Sequence, residues 1–428
     1  MKHHIFIISG FTLIIYPIFF LLFNLENIFP EKFDHKKTEK LDYLSKKTKK
    51  APDGIDYNLN YFLKDYLQPK KSSYNTNLFL ASVGIVPAKV QKPEFVKGVY
   101  LTSYLAANRN VVANVINSAK SGKINAVVID VKDHTGYLSY NSNLPIVEEY
   151  KTEYVIIPDI KGLVDLLHKN NIYVIARMPV FQDYALSLAR PDLALHDENA
   201  LSLYKPFQNY YSVFTLWKDR KGLHWLDPSS KEVWEYNLQI AQELTQIGFD
   251  EINFDYIRFP SDGDLEKLHF PVWDYKKKKE EVVREFFQFL NGNLRGKIYI
   301  SADLFGLTTV SYDDMGIGQV IEYGFENFDF VCPMIYPSHY AKNFMGFENP
   351  AEHPYEVVKN SMDSAFQRLK NGNYESKLRP WLQDFNLCAV YDKNLVQDEI
   401  RAVLDSAKGR EDLLDGWLLW DPSGYYSI

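Results

Sequence analysis

Three aspartates stand at or near the ends of apolar runs in this sequence, where a carboxylate can carry acid–base chemistry or grip a polar substrate. They are Asp130 after Ala126-Val-Val-Ile129, Asp255 within Glu251-Ile-Asn-Phe-Asp-Tyr-Ile257, and Asp303 after Ile298-Tyr-Ile-Ser-Ala302. Alternation along the second run sets Asn253, Asp255 and Ile257 on one face, with Phe254 and Tyr256 on the other. A carboxylate turned toward an interior needs a partner, because burying an unpaired charge is costly. Arg258 or Arg177 is expected to supply it and to hold Asp255 ionised. Glycoside hydrolysis uses one such group as nucleophile or base and a second carboxyl as proton donor. Asp303 is the expected donor, since its apolar surroundings desolvate it and raise its pKa. The plainer alternatives are a structural ion pair at Asp255 and a carboxylate bonded to backbone amides at Asp303.

Around this pair, Asp130 and Asp384 are reserves for the second acid and otherwise binders of sugar hydroxyls. Arg177, Arg258, Tyr336, Gln383 and Trp420 complete the expected substrate-binding set. Trp381 and Trp420 offer flat faces to a pyranose ring, against the simpler reading of core tryptophans. Tyr336 orients a carboxylate or contacts substrate, or else is a core tyrosine. His339 is a loop residue not expected to form a nucleophilic triad. Lys132 and His134 read as solvated. Of the two cysteines, Cys332 sits in an apolar run and reads as a buried free thiol, and no CxxC pair or zinc spacing occurs. No cofactor is expected.

The elements that must position these residues follow a rhythm. From Val96, short runs rich in Val, Ile, Tyr and Phe alternate with amphipathic stretches, the signature of βαβ units. Strands are expected at 96–103, 126–131, 172–177, 251–257, 298–303, 330–336, 378–384 and 416–420. Helices are expected near 110–120, 160–170, 230–247, 275–294, 319–323, 355–369 and 394–407. Eight strand–helix alternations predict a closed (β/α)8 TIM barrel over 94–428, an α/β fold whose active site lies at the carboxyl ends of the strands. No glycine-rich phosphate fingerprint follows the first strand, which argues against an open dinucleotide-binding sheet. The aromatic-rich segment from Phe181 to Leu226 is an insertion expected to overhang the cleft.

The formal charge of −7 gives no basic field for a nucleic-acid backbone. At the amino terminus, the uncharged stretch Ile5–Phe23 matches the roughly 20 residues of a membrane span. No small-residue cleavage site follows it, so residues 1–30 are read as an uncleaved transmembrane anchor, with a cleaved signal peptide as the alternative. Residues 31–93 read as a flexible linker, rich in Lys and Pro without sustained periodicity. Lysines after the span, taken alone, favour a cytoplasmic barrel. A short amino-terminal tail suits a signal anchor instead, and the extracytoplasmic side is the expectation.

Five segments carry a resemblance. They are Ile129-Asp-Val-Lys-Asp-His-Thr-Gly136, Phe249-Asp-Glu-Ile-Asn-Phe-Asp-Tyr-Ile-Arg-Phe-Pro260, Cys332-Pro-Met-Ile-Tyr-Pro-Ser-His339, Arg379-Pro-Trp-Leu-Gln-Asp384 and Gly416-Trp-Leu-Leu-Trp-Asp421. In this order they resemble the bacterial putative glycosyl hydrolase domain family, grouped with barrel glycosidases of α-amylase kinship. The resemblance implies a glycosidase-like barrel with Asp255 in the place of the strand-four nucleophile. Where α-amylase-like enzymes usually carry a strand-five glutamate, this chain offers Asp303, one methylene shorter. The expected protein is thus a membrane-tethered glycoside hydrolase acting on an extracellular or cell-wall polysaccharide. Its rivals are a non-catalytic glycan-binding barrel and a divalent-metal lyase or hydrolase; Arg177 on strand three argues against the latter's ring of acids.

Overall fold

The computed structural model describes residues 90–204 and 211–428. The expected anchor and all but the end of the expected linker lie outside these residues. By contact the chain divides into residues 1–74 and 75–428, and every described residue belongs to the second unit. No described helix is long and apolar enough to cross a membrane.

Strands form where apolar and β-branched residues dominate: β1 (Val96–Leu101), β2 (Ala126–Asp130), β3 (Tyr173–Pro179), β4 (Glu251–Asp255), β5 (Tyr299–Phe305) and β6 (Phe330–Ile335). β7 comes in two pieces, Lys377–Leu378 and Trp381–Gln383, and β8 is Gly416–Trp420. The break in β7 falls at Pro380, which has no N–H for the ladder, although its carbonyl still accepts from Leu418 N at 2.9 Å. Each strand pairs in parallel with the next. β8 then pairs with β1 and closes the ring. Closure sets a tight limit at Gly416, where φ is +147° and an added Cβ would lie 1.9 Å from the Val96 carbonyl oxygen.

Among the described residues, seven of the helices link successive strands: α1 (Arg109–Lys120), α2 (Ile160–Lys169), α3 (Lys231–Ile247), α4 (Lys279–Leu294), α5 (Ile321–Asn327), α6 (Pro354–Asn371) and α7 (Lys393–Ala407). These are the seven helices that the sequence rhythm predicts, and residues 421–428 after β8 hold no helix. α3 shows why these boundaries are sharp. Ser230 caps its first turn and Gly248, at φ +114°, ends it.

The strands sort their side chains by alternation. Outward Ile252 and Phe254 join the large core shared with the helices, while inward Tyr100, Val128, Ile175, Trp381 and Leu418 form a smaller core inside the ring. The insertion between β3 and α3 is tied to the loop after β4, where His196–Asp197 pairs antiparallel with Leu268–His269. It delivers Trp225 against Tyr256, the residue after β4, with ring centres 5.8 Å apart.

Candidate active site

β2, β3, β4 and β5 are neighbours in the ring, and their register sets Asp130 beside Arg177 and Arg177 beside Asn253. Arg177 is the hub at the carboxyl-terminal mouth. Its Nη1 donates to Asp130 Oδ1 at 2.6 Å, its Nη2 donates to Asp255 Oδ2, and its Nε faces Asp303 Oδ2 at 3.7 Å. Trp420 covers the guanidinium, 4.8 Å from ring centre to Cζ, and stacks on Tyr100 at 3.8 Å. The Tyr100 hydroxyl donates to Asp130. Asp303 Oδ1 accepts from Asn253 Nδ2 at 2.8 Å and from Trp381 Nε1 at 2.7 Å.

Asp255 is held by the backbone as well. Tyr256 takes φ +52°, a left-handed conformation that costs a non-glycine residue of order 1–3 kcal/mol. With the chain turned this way, Tyr256 N donates to Asp255 Oδ1 at 2.6 Å. Asp255 therefore has a cation on one oxygen and an amide on the other.

One guanidinium cannot neutralise three buried carboxylates, which are 4%, 5% and 1% exposed at Asp130, Asp255 and Asp303. Burial, and then the Asp255 carboxylate, push the Asp303 carboxyl well above its usual range, against the pull of Arg177, Asn253 and Trp381. Burial also raises Asp130, with Arg177 and the Tyr100 hydroxyl opposing it. The cluster thus separates a carboxylate clamped by Arg177 from an acid biased toward its neutral form. Four of its buried polar atoms make no hydrogen bond among the described residues: Asp303 Oδ2, Arg177 Nε, Asn253 Oδ1 and Tyr336 Oη.

The other candidates fall around this centre unequally. Arg258 is not the partner of Asp255. It donates to the Phe259 carbonyl at 2.9 Å and lies over the Phe305 and Trp225 rings at 4.4 and 4.9 Å, with no ion pair among the described residues. Tyr336 is buried, and burial followed by the Asp303 and Asp255 charges raises its hydroxyl. The Gln383 amide is taken up by loops, accepting from Ser338 N at 3.1 Å and donating to Phe385 O at 2.9 Å. Asp384 accepts from Ser427 N at 2.8 Å on one oxygen and nothing on the other, and burial pushes it up to about 6. Trp381 is core, and His339 contacts Ser338 Oγ at 3.1 Å. Cys332 is buried and Cys388 exposed, both free.

Sequence reasoning misread Lys132. Instead of being solvated, it is fully buried, paired with Asp183 at 2.8 Å and bonded to Asn237 at 2.9 Å. A second layer beneath the cluster went unseen. Glu251 accepts from Arg379, from Ser301 Oγ at 2.6 Å and from the Tyr173 hydroxyl at 3.1 Å, while Arg379 also reaches Asp415 at 3.0 Å. The available signal was the spacing of Glu251, Asn253 and Asp255, three polar residues on the inward positions of one strand. Among the described residues, no group of three or more His, Cys, Asp or Glu is arranged to hold a metal ion. The cation at the centre is Arg177.

The sequence profile of the family described as "Putative glycosyl hydrolase domain" matches residues 98–426. No curated protein matches the chain. Among solved structures, the chain is similar to a hypothetical protein from Ruminiclostridium thermocellum ATCC 27405, with 33% identity over 51% of this chain and 98% of that one, at a TM-score of 0.42. It is also similar to alpha-L-fucosidase isoenzyme 2 from Paenibacillus thiaminolyticus, with 13% identity, 78% of this chain and 47% of that one covered, and a TM-score of 0.47. A third is the alpha-galactosidase TtGalA from Thermus thermophilus, with 13% identity, 82% and 62% coverage and a TM-score of 0.45. The chain spans less than two thirds of either of these last two proteins.

Proposed function

We propose that this chain, which belongs to the putative glycosyl hydrolase domain family, hydrolyses glycosidic bonds of a polysaccharide at the mouth of its barrel. The observation that carries this reading is the single guanidinium of Arg177 shared by three buried aspartates, bonded to Asp130 and Asp255 and 3.7 Å from Asp303. Asp255 acts as nucleophile or base, and Asp303 donates the proton to the leaving oxygen. A separation of about 5 Å between the reacting carboxyls would retain configuration and about 6.5–9.5 Å would invert it. Trp420 and Asp130 border the cluster and contact the sugar, with Tyr336 and Asp384 offering unpaired hydroxyl and carboxyl oxygens. The substrate we assign is an extracellular or cell-wall polysaccharide, with residues 1–30 as the membrane anchor.

One observation favours a second reading, a glycan-binding barrel without turnover. Asp303 is 1% exposed and tied from below by Asn253 and Trp381, which restrains it as a donor. Incubating the full chain with a panel of bacterial polysaccharides and peptidoglycan, scored for new reducing ends and for binding, separates the two. Release of reducing ends supports the hydrolase; binding to a glycan with none released from any supports the binding barrel.

A further inference from the structure

The layer beneath the cluster has a direction. Glu251 is paired with the Arg379 guanidinium, and a carboxylate so paired only accepts hydrogen bonds. Ser301 must therefore spend its one proton on Glu251 Oε1, at 2.6 Å. The Ser301 oxygen is then left to accept, and it does so from Asn253 Nδ2 at 3.0 Å. That fixes the amide with its nitrogen toward β5, and the second N–H of the same nitrogen reaches Asp303 Oδ1 at 2.8 Å. Trp381 Nε1, which is only ever a donor, meets the same oxygen at 2.7 Å. Two obligatory donors converge on Oδ1, so Oδ1 carries no proton. Oδ2 has no hydrogen-bond partner among the described residues and faces Arg177 Nε at 3.7 Å.

We propose that the one-way chain from Glu251 through Ser301 to Asn253, together with Trp381, keeps the proton of Asp303 on Oδ2, the oxygen turned toward the carboxylate cluster. Glu251, Ser301 and Asn253 are thereby positioning residues for the acid. The inference rests on the glycosidase reading only for its effect on turnover; the location of the proton stands apart from it. The charged and titratable groups facing Asp303 are Asp255 from β4, Arg177 from β3, Cys332 from β6 and Tyr336 after β6. None of them donates a hydrogen bond to Oδ2.

The test is infrared spectroscopy of the full chain across pH, reading the carbonyl stretch of a buried neutral carboxyl and assigning it by its loss in Asp303→Asn. The expected result is a band that persists at pH 7 in the native chain. In Ser301→Ala, Asn253 loses its anchor and no longer holds its nitrogen on Oδ1. The pH at which the band disappears then moves upward, and Ser301→Thr restores it. If Ser301→Ala does not fold, Asn253→Ala serves in its place, because it removes one of the two donors from Oδ1 outright. Any turnover should show the same upward move in the alkaline limb of its pH profile. An unmoved or lowered midpoint in the folded variant, or no neutral carboxyl at pH 7 that Asp303→Asn removes, overturns the proposal. Absence of turnover with the band behaving as described removes the glycosidase reading and leaves this one in place.

Discussion

Arg177 holds two carboxylates at hydrogen-bonding distance and a third just beyond it, and its replacement should expose that dependence. Arg177→Met leaves Asp130 and Asp255 buried without a cation, and the expected loss in chemical unfolding at pH 7 is about 3–5 kcal/mol. Orphaned carboxylates have folded pKa values above their unfolded ones, so the variant should regain stability as the pH falls toward 4. Asp384 offers a second test of sign. Its folded pKa of about 6 stands above the ordinary Asp value, so its contribution is complete below that ordinary value and is lost as the pH rises through 6. Asp384→Asn should therefore gain on the native chain by about 1–3 kcal/mol between pH 4 and pH 7.5, measured by denaturant unfolding at both. Asp130, Arg177, Asp255 and Asp303 were legible because each lies at or near the end of an apolar run. Lys132 was not. Its partners Asp183 and Asn237 come from distant segments, and a lysine beside Asp133 and His134 looks like loop until the fold buries it.

At the scale of elements, alternation on β4 is what places chemistry in the barrel. Glu251, Asn253 and Asp255 face inward at successive depths, and a strand with three polar inward residues is stable only because β3, β5 and the break between the two pieces of β7 supply Arg177, Ser301 and Arg379. All eight strands were readable from period and composition, and β8 matched to the residue. The break in β7 was foreshadowed by Pro380, yet the run was still read as continuous, since the proline's effect depends on which neighbour needs its N–H. The closing contact was illegible, because nothing local to Gly416 says that Val96 will lie against it. Gly416→Ala should lower stability by more than about 1 kcal/mol, read as a reduced thermal midpoint, since its Cβ would collide with the Val96 carbonyl at a backbone angle L-residues rarely adopt. A midpoint equal to that of the native chain would mean that β1 and β8 are not closed as described.

For the whole molecule, the parallel pairing of β2, β3 and β4 turns Asp130 and Asp255, far apart in the sequence, into neighbours on one guanidinium. The fold class was legible because the alternation runs through the whole barrel, and the seven helices read between its strands are present there. A chain beginning at Glu94 should melt lower than one beginning at Asn75, because it lacks Lys92, whose ammonium pairs with the buried Asp415. Equal midpoints for the two shortened chains would discount that ion pair. The arrangement of the mouth is tested most directly by comparing the native chain with Asp255→Asn on a glycan that the native chain cleaves, measuring kcat and glycan affinity together. The expected result is a fall in kcat of about 10²–10⁴-fold with affinity kept. Turnover by Asp255→Asn equal to the native rate would contradict the placement of Asp255 at the reacting centre.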